Sequence, residues 1–564
     1  MRSSATIKQI TFFDGTQINL SNNDFIIVVG PNNVGKSLFI SELFEKLNNA
    51  NSPTKIVNSI VIEKKGSVGD LLDDLMSLSQ KTQDSTSKDD YQFTGFNYMT
   101  LSRFVSGIWN NPLTLQNLTN FFSILVKTQG RLEIVSPPPN IPITTTAPSH
   151  PIHVLQKNEN IEEKVSSYFK QAFGLDLIVH RNAGNIVPLY VGTKPIIPNG
   201  KDRISLEYLQ EIEKLPLLHE QGDGIKAFAG ILLFNFAFER TMLFIDEPEA
   251  FLHPPQAYLL GNMFGLESKA NCQYFISTHS SDFLRGILNS NNDRVRIIRI
   301  ERKNDTNIIH ELNRDTVIQI WKDPILRFSN TFDALYHEET VICEGDADCR
   351  FYSFILDSVF RSNIQKRPNV FFTHCGGKHR MPTIVKSLIA LNVKVKVVCD
   401  FDILNDESSI EKIVESLGGD WKQYKDSYLA VKKAIEQIKP QLATKDAKTE
   451  IEGIFDSITD DSFPETARTQ IREIINKTSA WALAKKIGEG FIPSGDATNI
   501  YAELKEGFST LGLYIVPVGE VECFDKNCPS HGPKWVNEVV IKDVDSSQFD
   551  NAKNFIKNLF KNLL

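Results

Sequence analysis

Gly30-Pro31-Asn32-Asn33-Val34-Gly35-Lys36-Ser37 has the spacing G-x-x-x-x-G-K-S, the residue types that suit a bound phosphate. Phe25 to Val29 before it is an unbroken apolar run that reads as a buried strand, and Leu38 to Leu47 after it has helical spacing. In that context Gly30, Asn32, Asn33 and Gly35 shape a loop whose backbone N–H groups can point at the β- and γ-phosphates of ATP. Lys36 adds a point charge, and the Ser37 hydroxyl is placed for Mg²⁺. A second apolar strand, Thr241 to Ile245, ends in Asp246-Glu247. Asp246 could hold the Mg²⁺ shell, and Glu247 could orient or deprotonate an attacking water. A third strand, Tyr274 to Ser277, is followed by Thr278-His279; coming after the other two, His279 is a candidate γ-phosphate sensor.

A separate set of acids lies in the C-terminal third. Thr340 to Cys343 reads as a short buried strand that delivers Glu344 at its carboxyl end, where open α/β sheets place ligands. Gly345 allows a tight turn, and Asp348 follows at the mouth of an expected helix; Asp346 has no assigned role. Val393 to Cys399 is expected to be a strand ending in Asp400-Phe401-Asp402, and the period of two would turn both aspartates to one face. Such a pair suits a divalent cation that prefers hard oxygen ligands. Between them, Phe371 to His374 reads as a strand followed by the turn Cys375-Gly376-Gly377-Lys378. Leu513 to Val518 reads as a returning strand that delivers Glu520 and Glu522, which would point one way if the strand continued.

A chain of 564 residues is long enough for two or more domains, each with its own core. The formal net charge of −8 excludes a surface coated in basic residues, though not a local groove where a bound cation also attracts phosphate. Seven cysteines without paired spacing read as reduced thiols, which predicts a cytoplasmic protein. The N-terminus lacks a secretory apolar region, and the most apolar helix, Ala227 to Phe238, is too short to span a bilayer, so no membrane association is expected.

The elements that carry these residues are unevenly legible. Ile7 to Leu20 suggests a hairpin around Asp14-Gly15, residues 81–90 a polar mobile loop, and Ile161 to Phe173 a helix. Residues of about 100–215 are expected to contain a subdomain inserted in the nucleotide domain, a candidate for self-association. Between Glu407 and Thr510, helical stretches such as Lys422 to Ile438 and Thr466 to Ile487 interrupt the second domain. Cys523, Cys528 and His531 lack a clean fourth partner for zinc. The tail from Phe555 is an amphipathic helix that could dock on its own domain.

The first motif set, with its Asp246-Glu247-Pro248-Glu249-Ala250-Phe251-Leu252-His253-Pro254 stretch, resembles ABC-type ATPases of the Rad50/SMC/RecF-like branch. That resemblance implies a signature turn, here Gly222, Asp223 and Gly224, which closes over ATP held by another protomer. The usual serine is replaced by Gln221. Glu344-Gly345, Gly376-Gly377-Lys378 and Asp400-Phe401-Asp402 in this order resemble a TOPRIM domain, and the two together resemble the OLD (overcoming lysogenization defect) family of ATP-linked nucleases.

The resemblance implies an α/β fold: an ABC-type ATPase domain over residues 1–330, then a Rossmann-like parallel-sheet TOPRIM domain over 331–564 with a helical insertion at about 405–510. It also implies a TOPRIM metal shell of Glu344, Asp348, Asp400 and Asp402, with Glu520 or Glu522 at a second metal position. Lys534 would stand near the scissile phosphate, with Lys378 the runner-up. The cofactors implied are ATP and Mg²⁺, with Mn²⁺ or Ca²⁺ as substitutes at the acidic centre. The partners implied are DNA, further copies in a homodimer or homotetramer, and a regulatory partner encoded nearby, either a retron reverse transcriptase with its msDNA or a Gabija-type helicase. The activity implied is a metal-dependent DNA endonuclease or nickase of bacterial antiphage defence. The competing expectation is a non-cleaving, RecF-like DNA-binding ATPase that uses TOPRIM as an interaction module.

Overall fold

Phe25–Val29 has no polar side to offer solvent, and all five residues are buried as an inner strand of a six-stranded sheet. The computed structural model describes all residues except 1, 85–89, 198, 329, 362–366, 439–443, 459–461, 477–478 and 562–564. The described chain divides into residues 1–321 and 322–564, a boundary slightly earlier than the sequence suggests.

In the first unit the sheet runs Thr306–Glu311, Val295–Lys303, Phe25–Val29, Gln273–Ser277, Met242–Asp246, Ser123–Val126. Its last five strands are parallel, and Thr306–Glu311 returns antiparallel at one edge. Beside it lies an antiparallel sheet of Gln17–Asn19, Ser4–Phe12 and Val57–Lys65, which contains the expected hairpin. The helix Lys36–Asn48 joins the two through one apolar core: Phe39 stacks on Phe12 at 5.6 Å, and Phe44 meets Phe244 edge-on at 5.9 Å. Phe244 and Phe275 stack at 4.8 Å on neighbouring strands, each fully buried and each contributing about 1.5–3 kcal/mol relative to exposure.

The span of about 100–215 needs a correction. Ser123–Val126 is an edge strand of the main sheet, so the insertion begins after it. It contains the helices Pro151–Lys157, Glu159–Phe173 and Leu206–Ile212 and the two-stranded pair Asp176–Val179 with Leu189–Gly192. Of the expected loop at 81–90, residues 85–89 lie outside the described residues. The flanking Gln80–Gln83 and Tyr91–Gly95 pair antiparallel.

The second unit is built on a four-stranded parallel sheet ordered Val370–His374, Glu339–Cys343, Val395–Cys399, Leu513–Ile515. The first strand in the chain therefore sits between the second and third, which makes a topological switch point at its carboxyl end. Helices Asp346–Arg361, Gly532–Val539 and Asp550–Leu559 share one core, in which Phe351 packs on Trp535 at 5.1 Å. Phe555 and Ile556 of the tail helix are buried there. Among the described residues, six α-helices between Glu407 and Leu511 form the insertion; the stretch expected from Thr466 to Ile487 is two of them, Glu465–Asn476 and Ala480–Ile487.

Gly230, in the helix Asp223–Phe236, lies under a crossing segment: a Cβ there would stand 2.3 Å from the Arg131 carbonyl oxygen. Helix propensity alone favours Gly230→Ala by about 1 kcal/mol. The clash with backbone should outweigh it, with a net destabilisation of about 1–3 kcal/mol read as a lower denaturation midpoint. A raised midpoint would show that the segment around Arg131 gives way freely.

Candidate functional site

Three adjacent parallel strands place the residues of the first motif set at their carboxyl ends. Phe25–Val29 leads into the glycine loop, Gln273–Ser277 into His279, and Met242–Asp246 into Glu247. Gly30 has φ of 145° and a missing Cβ that would stand 2.2 Å from the Ile300 carbonyl oxygen, so no other residue fits the turn. Asn33 also has positive φ. Lys36 begins the next helix, and its Nζ donates to the Gly30 and Pro31 carbonyls at 2.7 and 2.8 Å. Burial pulls this ammonium down to about 8, against the fields of Glu247, Glu249 and Asp246.

A cavity of about 680 Å³ is lined by Asn32, Asn33, Gly35, Lys36 and Ser37 together with Glu247 and His279. Its size and its glycine-lined wall fit a nucleoside triphosphate. His279 Nε2 and Glu247 Oε1 are 2.9 Å apart, and this hydrogen bond holds Glu247 below the ordinary glutamate range. Asp246 accepts from the Ser277 hydroxyl at 2.5 Å and is not among the residues lining the cavity. The structure does not bring Gly222, Asp223 and Gly224 into this cavity. Gly222 caps the helix Asp223–Phe236 elsewhere in the unit.

Several residues here escape sequence reading. Arg131, fully buried, donates from Nη1 to the Glu247 carbonyl at 2.8 Å and from Nη2 to Thr128 Oγ1 at 2.9 Å. Glu247 has φ of 47°, unusual for glutamate, and its amide also donates to the Ser277 carbonyl at 3.0 Å. Arg131 therefore helps hold the strained backbone that aims the carboxylate. Glu249 accepts from the His279 amide at 2.7 Å. Lys55, Arg302, Asp305 and Asn307 complete the cavity wall, and none belongs to a recognisable motif.

In the second unit, Glu344 follows the first strand and Asp400 the third, the two strands flanking the switch point. Asp400 and Asp402 do not lie on a strand, as the period-two reading requires. The strand ends at Cys399, and a 3₁₀ turn over Phe401–Asn405 brings the two acids together. Carboxylate oxygens of Glu344, Asp400 and Asp402 lie within 4.8 Å of one another. The turn is pinned by the Asp400 amide on Glu344 Oε1 at 3.3 Å and by the Phe401 amide on the Gly519 carbonyl at 2.7 Å. Gly377, at φ of 122°, donates its amide to the Glu344 carbonyl at 3.2 Å. Asp402 Oδ1 is buried without a hydrogen-bond partner, and all three groups offer hard oxygens. The set fits a divalent cation such as Mg²⁺ or Mn²⁺.

The remaining predicted ligands stand apart. Asp348 accepts from the Gly345 amide at 2.9 Å, and burial pushes its carboxyl up to about 6. The returning strand stops at Ile515, so Glu520 and Glu522 part: Glu520 lies 3.6 Å from Lys485, while Glu522 accepts from the Gly532 amide at 2.9 Å. Burial and Asp402 raise Glu344, and burial and Glu344 raise Asp400. Lys378 reaches Asp402 at 3.9 Å. Lys534 is exposed beside Glu538 on its helix, and among the described residues no ion pair joins it to the three acids. The Cys523 and Cys528 thiols donate to the Lys486 carbonyl at 3.3 Å and to Glu538 at 3.1 Å, and the two do not converge with His531 as a metal set. Lys485, which no motif marks, stands beside Asp400, Asp402 and Glu520.

The fold and the two sites thus define a P-loop ATPase domain followed by a parallel-sheet domain with an acidic centre. Residues 118–284 match the AAA ATPase domain family, a span that starts after the glycine loop and includes Asp246, Glu247 and His279. Residues 335–402 match the overcoming lysogenization defect protein-like TOPRIM domain, a span that includes Glu344, Asp348, Asp400 and Asp402. The Old nuclease of Escherichia phage P2 is 24% identical over 206 residues, which cover 36% of this chain and 31% of that protein's length. The chain thus carries an AAA-type ATPase domain followed by an OLD-like TOPRIM domain, and it spans about a third of the length of the Old nuclease it matches.

Among solved structures, an SMC head bound to the C-winged helix domain of ScpA is 11% identical, with a TM-score of 0.35 over 56% of this chain and 99% of that one. The SMC head domain from Thermotoga maritima is 13% identical, with a TM-score of 0.29 over 56% of this chain and 100% of that one. Among the described residues, no helix is long and apolar enough to cross a membrane.

Two outcomes follow from this geometry. Arg131→Met removes a charge-assisted hydrogen bond of about 1.5–3 kcal/mol, and should lower ATP turnover by about 10-fold or more with little change in KM. A change confined to KM would contradict a role in aiming Glu247. The raised carboxyl of Asp348 means that the folded state binds more protons than the unfolded one from about pH 4 to about 6, and the raised carboxyls of Glu344 and Asp400 act in the same direction. Their contribution to stability is therefore lost as pH rises through that window, and the ionised cluster is a cost above it. Mn²⁺ should raise the melting temperature more at pH 7.5 than at pH 5; equal shifts would contradict this.

Proposed function

We propose that this chain is an ATP-binding, divalent-metal-dependent DNA endonuclease or nickase whose cutting is governed by its nucleotide state. The observation that carries the reading is the convergence of Glu344, Asp400 and Asp402 at the switch point of a parallel sheet, with one Asp402 oxygen buried and unpartnered. These three acids are the proposed catalytic metal ligands. A divalent cation held there supplies Lewis acidity at a phosphoryl oxygen. Lys378 offers an ammonium group beside Asp402 to attract the phosphodiester. It is better placed for this than Lys534.

In the first unit, Lys36 and the loop amides bind and orient the triphosphate, Ser37 and Asp246 stand ready for Mg²⁺, and Glu247 takes a proton from water. His279 fixes the Glu247 carboxylate by direct hydrogen bond. Closure of Gly222–Gly224 over a second copy's nucleotide, in a homodimer or homotetramer, is part of the proposal and is supported by the family resemblance. So is a cytoplasmic role in antiphage defence under a retron or Gabija-type partner. The non-cleaving alternative is disfavoured because the acids of the centre are all present and gathered.

Incubation of the protein with plasmid and Mg²⁺ or Mn²⁺ tests the reading. Loss of one outer-sphere partner typically costs 10–100-fold in metal sites, so Asp400→Asn or Glu344→Gln, each losing a ligand, should reduce nicking by more than about 100-fold. Equal cleavage by wild type and variants, or ATP-dependent DNA binding without cleavage under any metal, would sink it.

A further inference from the structure

The glycine loop of the first unit has two flanks, and the pair Glu247 and His279 occupies one of them. The strand that leads into the loop, Phe25–Val29, lies between Gln273–Ser277 and Val295–Lys303 in the sheet. Glu247 and His279 follow strands on the first side. On the other side Arg299 pairs with Val29, the last residue of the central strand, and its own strand runs on to Lys303. The chain turns at Asn304-Asp305 and returns as Thr306–Glu311, with Lys303 opposite Thr306. The tip of this hairpin therefore stands beside the loop.

The hairpin is fixed to the loop by close contacts. Asn307 Nδ2 donates to the Val34 carbonyl at 2.5 Å. A Cβ on Gly35 would stand 3.7 Å from that same nitrogen and 2.7 Å from Ile56 Cδ1. Arg302 is tied down within the tip: its Nε donates to the Asn304 carbonyl at 3.2 Å, and its Nη2 stands 3.5 Å from Asp305 Oδ1. Arg302 and Asp305 both line the cavity.

Electrostatics decides which part of a nucleotide meets this flank. Phosphates carry the negative charge, and the base carries none. Asp305 repels a phosphate at close range, and its pairing with Arg302 offsets the charge that a phosphate would seek. Lys55, on the same wall, has a flexible stem and a compact charge that can follow the phosphates instead. What Arg302 offers is a flat guanidinium face, which stacks on aromatic rings. Leu38, next to Ser37, adds apolar surface to the cavity: it is 41% exposed, whereas the lining residues Val34 and Ile56 are buried.

We infer that Arg302 is the base-contacting residue of this cavity. Its guanidinium, held by Asp305 and the Asn304 carbonyl, stacks on the base and favours purine nucleotides, whose two-ring face is larger, over pyrimidine ones. The inference rests on the reading of the cavity as a nucleotide site and deepens it by naming what selects the base.

Calorimetric titration of the full chain with ADP, CDP and inorganic pyrophosphate, each with Mg²⁺, tests this without turnover. Wild type should bind ADP several-fold more tightly than CDP. Arg302→Ala should weaken ADP binding by about 10-fold, reduce the preference over CDP and leave pyrophosphate within 2-fold of wild type. Arg302→Lys keeps the charge without the plane and should behave like Arg302→Ala. Equal losses for ADP and pyrophosphate, or rescue by Arg302→Lys, would make Arg302 a phosphate contact and overturn the inference. So would unchanged ADP binding in Arg302→Ala. Each of these outcomes leaves the nucleotide site standing, whereas a wild type that binds neither ADP nor pyrophosphate would overturn both. The side chain is 52% exposed, so its removal should leave the melting temperature unchanged. Should Arg302→Ala fail to fold, equal binding of ADP and CDP by wild type would overturn the inference by itself.

Discussion

Carboxylates placed within 4.8 Å of one another in a half-buried pocket repel strongly, and burial together with a neighbouring carboxylate pushes Glu344 and Asp400 toward the neutral form. The second unit accepts that cost at its switch point. Glu344, Asp400 and Asp402 are each fixed by backbone rather than left to swing apart: the Asp400 amide binds Glu344, the Gly377 amide binds the Glu344 carbonyl, and the Phe401 amide binds Gly519. The glycine turns and the early end of the third strand serve to hold like charges together. A fold concerned only with stability would keep them apart, so the convergence is the structural reason to read the centre functionally.

The first unit solves a related problem by other means. It gathers Glu247 and His279 opposite the glycine loop at the ends of three adjacent parallel strands. The left-handed backbone at Glu247 is held from beneath by Arg131, whose own segment is packed too closely on Gly230 to admit a methyl group. Local strain at the chemistry is thus supported by close packing one layer below it. The two units share a rule, that parallel strands deliver their ligands at carboxyl ends, and differ in what supplies the positive charge.

Motifs with contiguous residues were the legible part of the sequence. The octet ending in Lys36-Ser37, the Asp246-Glu247 strand end and the Asp400-x-Asp402 pair can be read because neighbours in the chain act together. The geometry behind the last of these differs from the expected one, since a 3₁₀ turn and not strand alternation gathers the aspartates. Glu520 and Glu522 were paired by the same assumption, and an early strand end separates them. Arg131 and Lys485 were invisible because each reaches its site through tertiary packing, from a short helix and from an inserted helix, with no local pattern to mark it. Ser123–Val126 falls inside the span expected for the insertion because four residues are too few to declare membership of a sheet formed with a strand far along the chain.

The decisive property of the gathered acids is whether they hold a metal ion. Crystals grown with Mn²⁺ and measured at the manganese absorption edge would locate it directly by anomalous scattering. The expected result is a strong peak at the centre, within about 2.0–2.3 Å of oxygens from Glu344, Asp400 and Asp402. A peak bound elsewhere in the second unit, or none at saturating Mn²⁺, would contradict the reading of this centre.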